Sequence, residues 1–172
     1  IIEHIKTIED YRLLSITDGL TGLYNHRYFM EQLQKEINRA LRQAYAFSVI
    51  MLDIDEFKAY NDSYGHIEGN NVLKDLADIF RHNTRSTDIV SRFGGEEFAI
   101  IALGLKKGQV SVFVDKLLNT VSNHPFPNRK ISLSGGVAFY QSDGNTAAQL
   151  LEKADRRLYK AKSMGRNRVA YS

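Results

Sequence analysis

The sequence contains no cysteine, which excludes disulfides, thiolate zinc sites and a cysteine nucleophile, and suits a reducing compartment. No run approaches the roughly 18 apolar residues that a membrane-spanning helix needs, and no secretory signal pattern opens the chain. The expectation is a soluble, cytoplasmic piece without membrane contact of its own, whatever anchor the full-length protein carries. Strong charge of one sign is also missing, since 23 Lys and Arg face 20 Asp and Glu for a formal net charge of +3. That balance gives no general footprint for a DNA or RNA polymer, so recognition has to rest on local clusters. Internal repeats and low-complexity segments are absent. What is present is 43% apolar content over 172 residues, enough for one sizeable core and short for two independent domains.

Residues 1–16 set Ile1, Ile5 and Ile8 on one face with charged residues between, as in an amphipathic helix. No capping residue precedes Ile1, which suggests a chain cut from a longer protein; the helix is either the end of a coiled-coil connector or an N-terminal helix packed on its own domain. Asn25 can cap a helix over His26–Ala44. Phe47–Leu52 is a continuous apolar run of the kind buried on both faces, and it ends in Asp53-Ile54-Asp55. Residues 62–69 resemble a loop entering a helix over 69–82. Further helices are expected over Gly108–His124, closed by Pro125 and Pro127, and over Thr146–Met164, with a strand over Ile131–Tyr140 between them and a short strand near Val169. Gly135 and Gly136 inside that strand point to a bulge or a close backbone approach. Helices alternating with strands around one inserted hairpin imply an α/β domain with a mixed central sheet flanked by helices.

The hairpin carries the most informative tract, Ser91-Arg92-Phe93-Gly94-Gly95-Glu96-Glu97-Phe98. Apolar residues flank a Gly-Gly turn signal, and two adjacent carboxylates at the tip repel each other. A divalent cation offsets that repulsion, because hard oxygen ligands gathered at one point hold Mg²⁺ beside a substrate phosphate. Asp53, at the end of a buried strand, would join Glu96 and Glu97 if the two strands are neighbours; the competing reading is a solvated acidic turn. Lys58, directly after Phe57, and Lys162 and Arg166, four apart near the last helix end, are phosphate-binding candidates, against a simpler role for the latter two in complementing the helix dipole. Asn61 and Asn70 either read a base edge or act as turn formers and caps. His66 has no partner for acid–base work.

Four ordered segments, DGLTGLYNHRYF, LDIDEFKAYNDSYGH, RFGGEEF and ADRRLYKAKSMGRNRV, together resemble the GGDEF family of diguanylate cyclases over essentially the whole chain. The resemblance implies a palm-like fold with a ferredoxin-like core, shared with nucleotidyl cyclases and polymerases, and divides the chain into a connector stub (1–16) and a catalytic domain (17–172). It implies condensation of two GTP into cyclic di-GMP and pyrophosphate, with Mg²⁺, or Mn²⁺ in its place, two per half-site. Asp53 and Glu96 correspond to side-chain ligands and Ile54 to a carbonyl ligand, with Glu97 beside them as a third catalytic carboxylate and Glu96 in the position given the proton-acceptor role. Phe57, Lys58, Lys162 and Arg166 correspond to the triphosphate contacts, Asn61 and Asn70 to the base contacts, and Gly94 and Gly95 to the backbone lying against the nucleotide. Each domain would bind one GTP, so a facing homodimer is the implied active species, set by the missing upstream sensory region. Arg85-Ser86-Thr87-Asp88 matches the family's RxxD inhibitory site for product.

Two positions depart from the family pattern. His26 stands where the family usually has Arg, and Asn70 stands where it typically has Asp. An Asp carboxylate accepts from both guanine donors, whereas an Asn amide offers one acceptor and one donor, the complement of adenine. Weaker guanine preference, with cyclic GMP-AMP as a mixed product, is therefore the alternative expectation; a catalytically silent receptor for GTP or cyclic di-GMP is a third.

Overall fold

In the computed structural model, residue 13 and residues 15–172 are described; residues 1–12 and 14, which hold most of the expected N-terminal helix, lie outside the described residues. The elements run β1 (Tyr24–Asn25), α1 (His26–Arg42), β2 (Phe47–Ile54), α2 (Phe57–Asn83), β3 (Ile89–Arg92), β4 (Glu97–Leu103), α3 (Lys107–Asn123), β5 (Leu133–Phe139), α4 (Ala147–Ser163) and β6 (Val169–Ala170). They form one six-stranded mixed sheet in the order β1-β3-β4-β2-β5-β6, as the alternation of elements implies. Among the described residues no helix is long and apolar enough to cross a membrane.

The apolar run of β2 makes it the central strand, antiparallel to β4 on one side and to β5 on the other. All eight of its residues are buried, because helices cover both faces of the sheet. Ile50, Leu52 and Ile54 point into a core with Val72, Leu76 and Phe80 of α2 and Val114 and Leu117 of α3. Val49 and Met51, at the alternate positions, point into a second core with Phe29, Leu33 and Ile37 of α1 and Leu150, Ala154 and Leu158 of α4. Period-two alternation thus divides one apolar strand between two cores. A strand so placed carries its C-terminal residues into the sheet's interior, and that is where Asp53 lies.

Asn25 caps α1 as expected, its Oδ1 accepting from Tyr28 N at 3.0 Å. Its amide also donates to the Ser15 and Thr17 carbonyls at 3.0 and 3.4 Å, which ties the incoming chain to the start of α1. α4 begins with a capping box between Thr146 and Gln149, satisfying amides that helix geometry leaves without partners. One expectation is corrected. Residues 62–69 are not a loop: α2 is helical from Phe57 onward and is broken only at Gly65, whose φ of 86° and ψ of 161° lie outside the helical region. A single glycine at positive φ suffices to redirect a helix that neighbouring packing keeps intact on both sides.

The paired glycines of β5 mark a close approach and not a bulge, since β5 pairs with β2 in unbroken register. A Cβ on Gly136 would fall 2.0 Å from the Ala154 carbonyl oxygen and 2.3 Å from Leu158 N, so α4 lies directly on the strand backbone. Gly136→Ala therefore forces a backbone shift and is expected to destabilise the protein by about 2–3 kcal/mol, the cost of overpacking a rigid core. Urea denaturation checks this as a lower midpoint with an unchanged slope.

Candidate active site

The register of β2 against β4 sets Asp53 directly opposite Glu97, with both side chains on the face that α4 covers. Asp53 is 5% exposed. The Lys162 ammonium, from the last turn of α4, lies 2.8 Å from Asp53 Oδ1. At that distance the buried carboxylate oxygen has the ammonium as its charged partner. Burial raises the Asp53 carboxyl above its ordinary value; Lys162 opposes the rise, while Asp55 and Asp155 add to it. Glu96 and Glu97 are also raised, first by burial and then by the charge of Asp53. Asp53 thus disfavours the ionisation of both glutamates and Glu97 that of Glu96, with Lys162 as the cation opposing the rise at all three acids.

The hairpin tip is tight. Phe93 N and Gly94 N both donate to the Glu97 carbonyl, at 2.7 and 3.1 Å, and Ile54 N donates to the Glu96 carbonyl at 3.3 Å. A Cβ on Gly94 would lie 2.4 Å from Glu97 Oε2, whereas a Cβ on Gly95 would meet nothing within 4 Å. Gly94 therefore makes room for Glu97 itself, and Gly95 faces open space where a ligand can approach. Arg92 holds the tip from below, donating to the Gly95 carbonyl through Nε at 3.2 Å and Nη2 at 2.7 Å. Its Nη1 reaches both carboxylate oxygens of Asp18 at 3.3 Å. His26, the first departure, packs edge-on against Phe93 with ring centroids 4.4 Å apart, a structural use of the variant residue.

Among the described residues no three acidic or histidine side chains already stand in a metal-holding arrangement. The donor set nonetheless fits a hard divalent cation: one ammonium faces a buried carboxylate whose charge raises the two acids beside it. Mg²⁺ prefers such oxygens, few from protein and the rest from water and phosphate.

Beside the carboxylates, α2 opens on Glu56, which takes left-handed φ and ψ of 56° and 31° and makes no side-chain cap. Leading amides without a side-chain cap are suited to an anion. Phe57 is buried and stacks near Tyr60, leaving Lys58 exposed beside those amides. Asn61 and Asn70 lie on either side of the Gly65 break. Asn61 Oδ1 is buried without a hydrogen-bond partner, and a Cβ on Gly69 would fall 1.8 Å from it; Asn70 is exposed. Lys162 lies on α4 as expected, but Arg166 does not share the helix. Arg166 sits past the helix end at a φ of 61°, because Gly165 stops α4, so helical spacing does not align the two cations.

Asp88 of the RxxD segment is 6% exposed. Its Oδ1 accepts from Arg85 Nη2 at 2.7 Å and from Leu103 N at 3.2 Å, and its Oδ2 accepts from Arg85 N at 3.1 Å and Arg85 Nε at 3.2 Å. The pair lines a groove of about 460 Å³ with Thr17, Tyr24 and Arg81. Arg85 remains half exposed while Asp88 serves as its buried anchor.

The family model for the diguanylate cyclase GGDEF domain matches residues 15–168. The chain belongs to this family. The GGDEF domain is 38% identical over 160 residues to diguanylate cyclase DgcS of Shewanella oneidensis, covering 92% of this chain and 53% of that protein. The coiled coil and GGDEF domain of DgcB from Caulobacter crescentus, solved in complex with c-di-GMP, superposes with a TM-score of 0.91 at 28% identity, covering 99% of this chain and 93% of that one. The active GGEEF domain of a diguanylate cyclase from Vibrio cholerae superposes at 0.80 with 32% identity, covering 85% and 95%. These neighbours share the palm-like fold. The chain spans about half or less of the length of the first curated relatives it matches.

Several side chains of the GGDEF domain's site carry weight that spacing alone did not reveal. Asp155 adds charge to Asp53 and Glu97 from α4, and the only hint is its position seven residues before Lys162. Arg92 and Asp18 join motifs far apart in sequence. Arg129 donates to the Glu56 carbonyl at 3.1 Å and lies over the Tyr60 ring, bracing the turn before Lys58 from a loop with no motif.

Two outcomes follow from these contacts. Glu97 has a folded-state pKa above its unfolded value, so its ionised form costs stability above that pKa and the cost vanishes as pH falls through it. Glu97→Gln is therefore expected to raise the Tm of the metal-free protein at pH 7 and to leave it nearly unchanged near pH 4, measured by calorimetry. Asp88→Ala strips the partner from Leu103 N and the Arg85 guanidinium and should cost about 2 kcal/mol in chemical denaturation.

Proposed function

We propose that this domain is a diguanylate cyclase, condensing two GTP into cyclic di-GMP with release of two pyrophosphates. The observation that carries the reading is the β2–β4 register, which sets Asp53 against Glu97 with Glu96 at the adjoining tip and Lys162 among them. The names of its relatives support the same activity, and GGEEF in place of GGDEF is supported by the active GGEEF domain from Vibrio cholerae.

Asp53, Glu96 and the Ile54 carbonyl would hold Mg²⁺, with Glu97 opposite Asp53 completing the acidic wall. When bound, the metal supplies Lewis acidity at the α-phosphate, a lowered 3′-hydroxyl pKa and charge neutralisation for the leaving pyrophosphate. The first-turn amides at Phe57 and Lys58, with the Lys58 ammonium, hold the triphosphate, and Lys162 and Arg166 neutralise it from the α4 side. Gly95 leaves the tip open to the nucleotide. The 3′-oxygen of one GTP attacks the α-phosphorus of the other, the bond to pyrophosphate breaks, and the hydroxyl proton passes to the carboxylate cluster, to Glu96 by the family's assignment. Burial and the neighbouring charge raise the carboxyl pKa of Glu96, which favours proton uptake there. One domain supplies one GTP, so turnover requires two domains facing each other, aligned by the connector over 1–16. Cyclic di-GMP then binds through the exposed half of Arg85 and holds the domains apart. The compartment is the cytoplasm, where GTP is present.

A second reading concerns only the base. Asn70 is an amide where a carboxylate would satisfy both guanine donors, and Asn61 stands across the Gly65 break from it. This favours relaxed selectivity and some cyclic GMP-AMP.

The test is incubation of the protein with GTP and Mg²⁺, followed by equimolar GTP and ATP, with products resolved by mass spectrometry. Cyclic di-GMP is expected from GTP alone, EDTA should abolish it, and Asp53→Ala should lower kcat by about a thousandfold or more, as loss of a preorganised electrostatic group does. A mixed product from the nucleotide mixture supports relaxed base choice, and a purely guanine product removes it. Complete inactivity in an enforced dimer that still binds GTP would mean a silent receptor.

A further inference from the structure

Asp55 is buried at 7% exposure, two residues after Asp53 and just past the end of β2. Its oxygens are fully engaged: Oδ1 accepts from Ser134 Oγ at 2.6 Å, and Oδ2 accepts from Ser132 Oγ at 2.6 Å and from the backbone N of Asn167 at 3.0 Å. A carboxylate with both oxygens so occupied is a poor candidate for a metal ligand, and the phosphate and base contacts above do not use it.

The Asn167 bond is the informative one. Gly165, Arg166 and Asn167 take φ values of 109°, 61° and 46°, three successive residues in the left-handed region, two of them not glycine. Non-glycine residues hold such conformations only where the surroundings fix them. Backbone bonds fix the two flanks of the turn, Arg166 N to the Ala161 carbonyl at 3.1 Å and Gly135 N to the Arg168 carbonyl at 2.9 Å. At Asn167, between those flanks, the fixing group is the Asp55 carboxylate, oriented by Ser132, just before β5, and by Ser134 within it. We propose that Asp55 is a positioning residue for nucleotide binding: it clamps the turn after α4 and so sets where Arg166 presents its guanidinium to the triphosphate. The β2 terminus then places the acidic side of the site through Asp53 and the basic side through Asp55. The inference rests on the reading of Arg166 as a triphosphate contact.

The experiment is a double-mutant cycle on the GTP KM of the cyclase reaction, using Asp55→Asn, Arg166→Ala and the double variant. An Asn at 55 cannot accept from three donors, and the turn loosens. Asp55→Asn is expected to raise KM about tenfold with a smaller change in kcat, and to add less than about twofold once Arg166 is already Ala, the non-additivity of two residues acting as a unit. Hydrogen exchange at the Asn167 amide should lose its protection in Asp55→Asn. Should that variant fail to fold, Ser134→Ala keeps the carboxylate while freeing its orientation, and should raise KM about two- to threefold in the parent and not at all beside Arg166→Ala. KM effects of Asp55→Asn and Arg166→Ala that multiply overturn the clamp while leaving the Arg166 reading intact. An unchanged KM in Arg166→Ala overturns that reading and the clamp's part in binding together, and retained Asn167 protection in Asp55→Asn overturns the clamp itself.

Discussion

Asp53 is a carboxylate placed inside a sheet, and most of the site's architecture answers the cost of keeping it there. Moving an isolated carboxylate out of water costs several kcal/mol even after the protein relaxes. Here the cost is compounded by Glu97 across the strand pair and by Glu96 at the tip, whose ionisation Asp53 opposes. Lys162 offsets part of it at 2.8 Å, one cation set against three acids. A divalent cation bound there would offset the remaining repulsion, as bound ions do at clustered carboxylates.

The surrounding scaffold holds these opposed charges at fixed separation. β2 is central and buried on both faces, so Asp53 cannot move without the sheet. The tip is held by paired amides on the Glu97 carbonyl and by Arg92 on the Gly95 carbonyl. Arg92 also meets Asp18, whose Oδ1 accepts from Thr21 N and Thr21 Oγ1 at 2.9 and 2.7 Å. The turn through which the chain enters the domain is therefore bonded to the turn that carries the acids. Close packing of α4 on the bare backbone at Gly136 brings Lys162 to the same place.

Much of this was legible in the sequence. The run from Phe47 to Leu52, broken only by Ser48, is short enough and apolar enough for a strand buried on both faces, and carboxylates at its end, with two more beside paired glycines, mark a charge conflict that a cation would offset. Caps at Asn25 and Thr146 follow from local chemistry alone. The loop expected over 62–69 was misread because turn formers cluster there, with Asp62, Ser63, Gly65 and Gly69 inside the segment and Asn61 and Asn70 on either side; packing of Tyr60, Val72 and Leu73 into the core overrides that local preference and leaves a break only at Gly65. Arg166 lies beyond α4, whose end at Ser163 is within a residue of the expected one, so its four-residue spacing from Lys162 does not set the two on one helical face. Asp55, Arg129 and the Asp18–Arg92 pair act through long-range hydrogen bonds, and no periodicity or turn rule reports a partner seventy or a hundred residues away.

The central claim is that the Asp53, Glu96 and Glu97 charges are left in conflict until metal and nucleotide arrive together. It is tested most directly by titrating Mn²⁺ into the protein, with and without 3′-deoxy-GTP, and following free Mn²⁺ by electron paramagnetic resonance. The account predicts weak binding alone, binding tightened at least about tenfold by the nucleotide, and loss of that tightening in Asp53→Ala. Mn²⁺ affinity that is the same with and without nucleotide, or that survives Asp53→Ala, would contradict it.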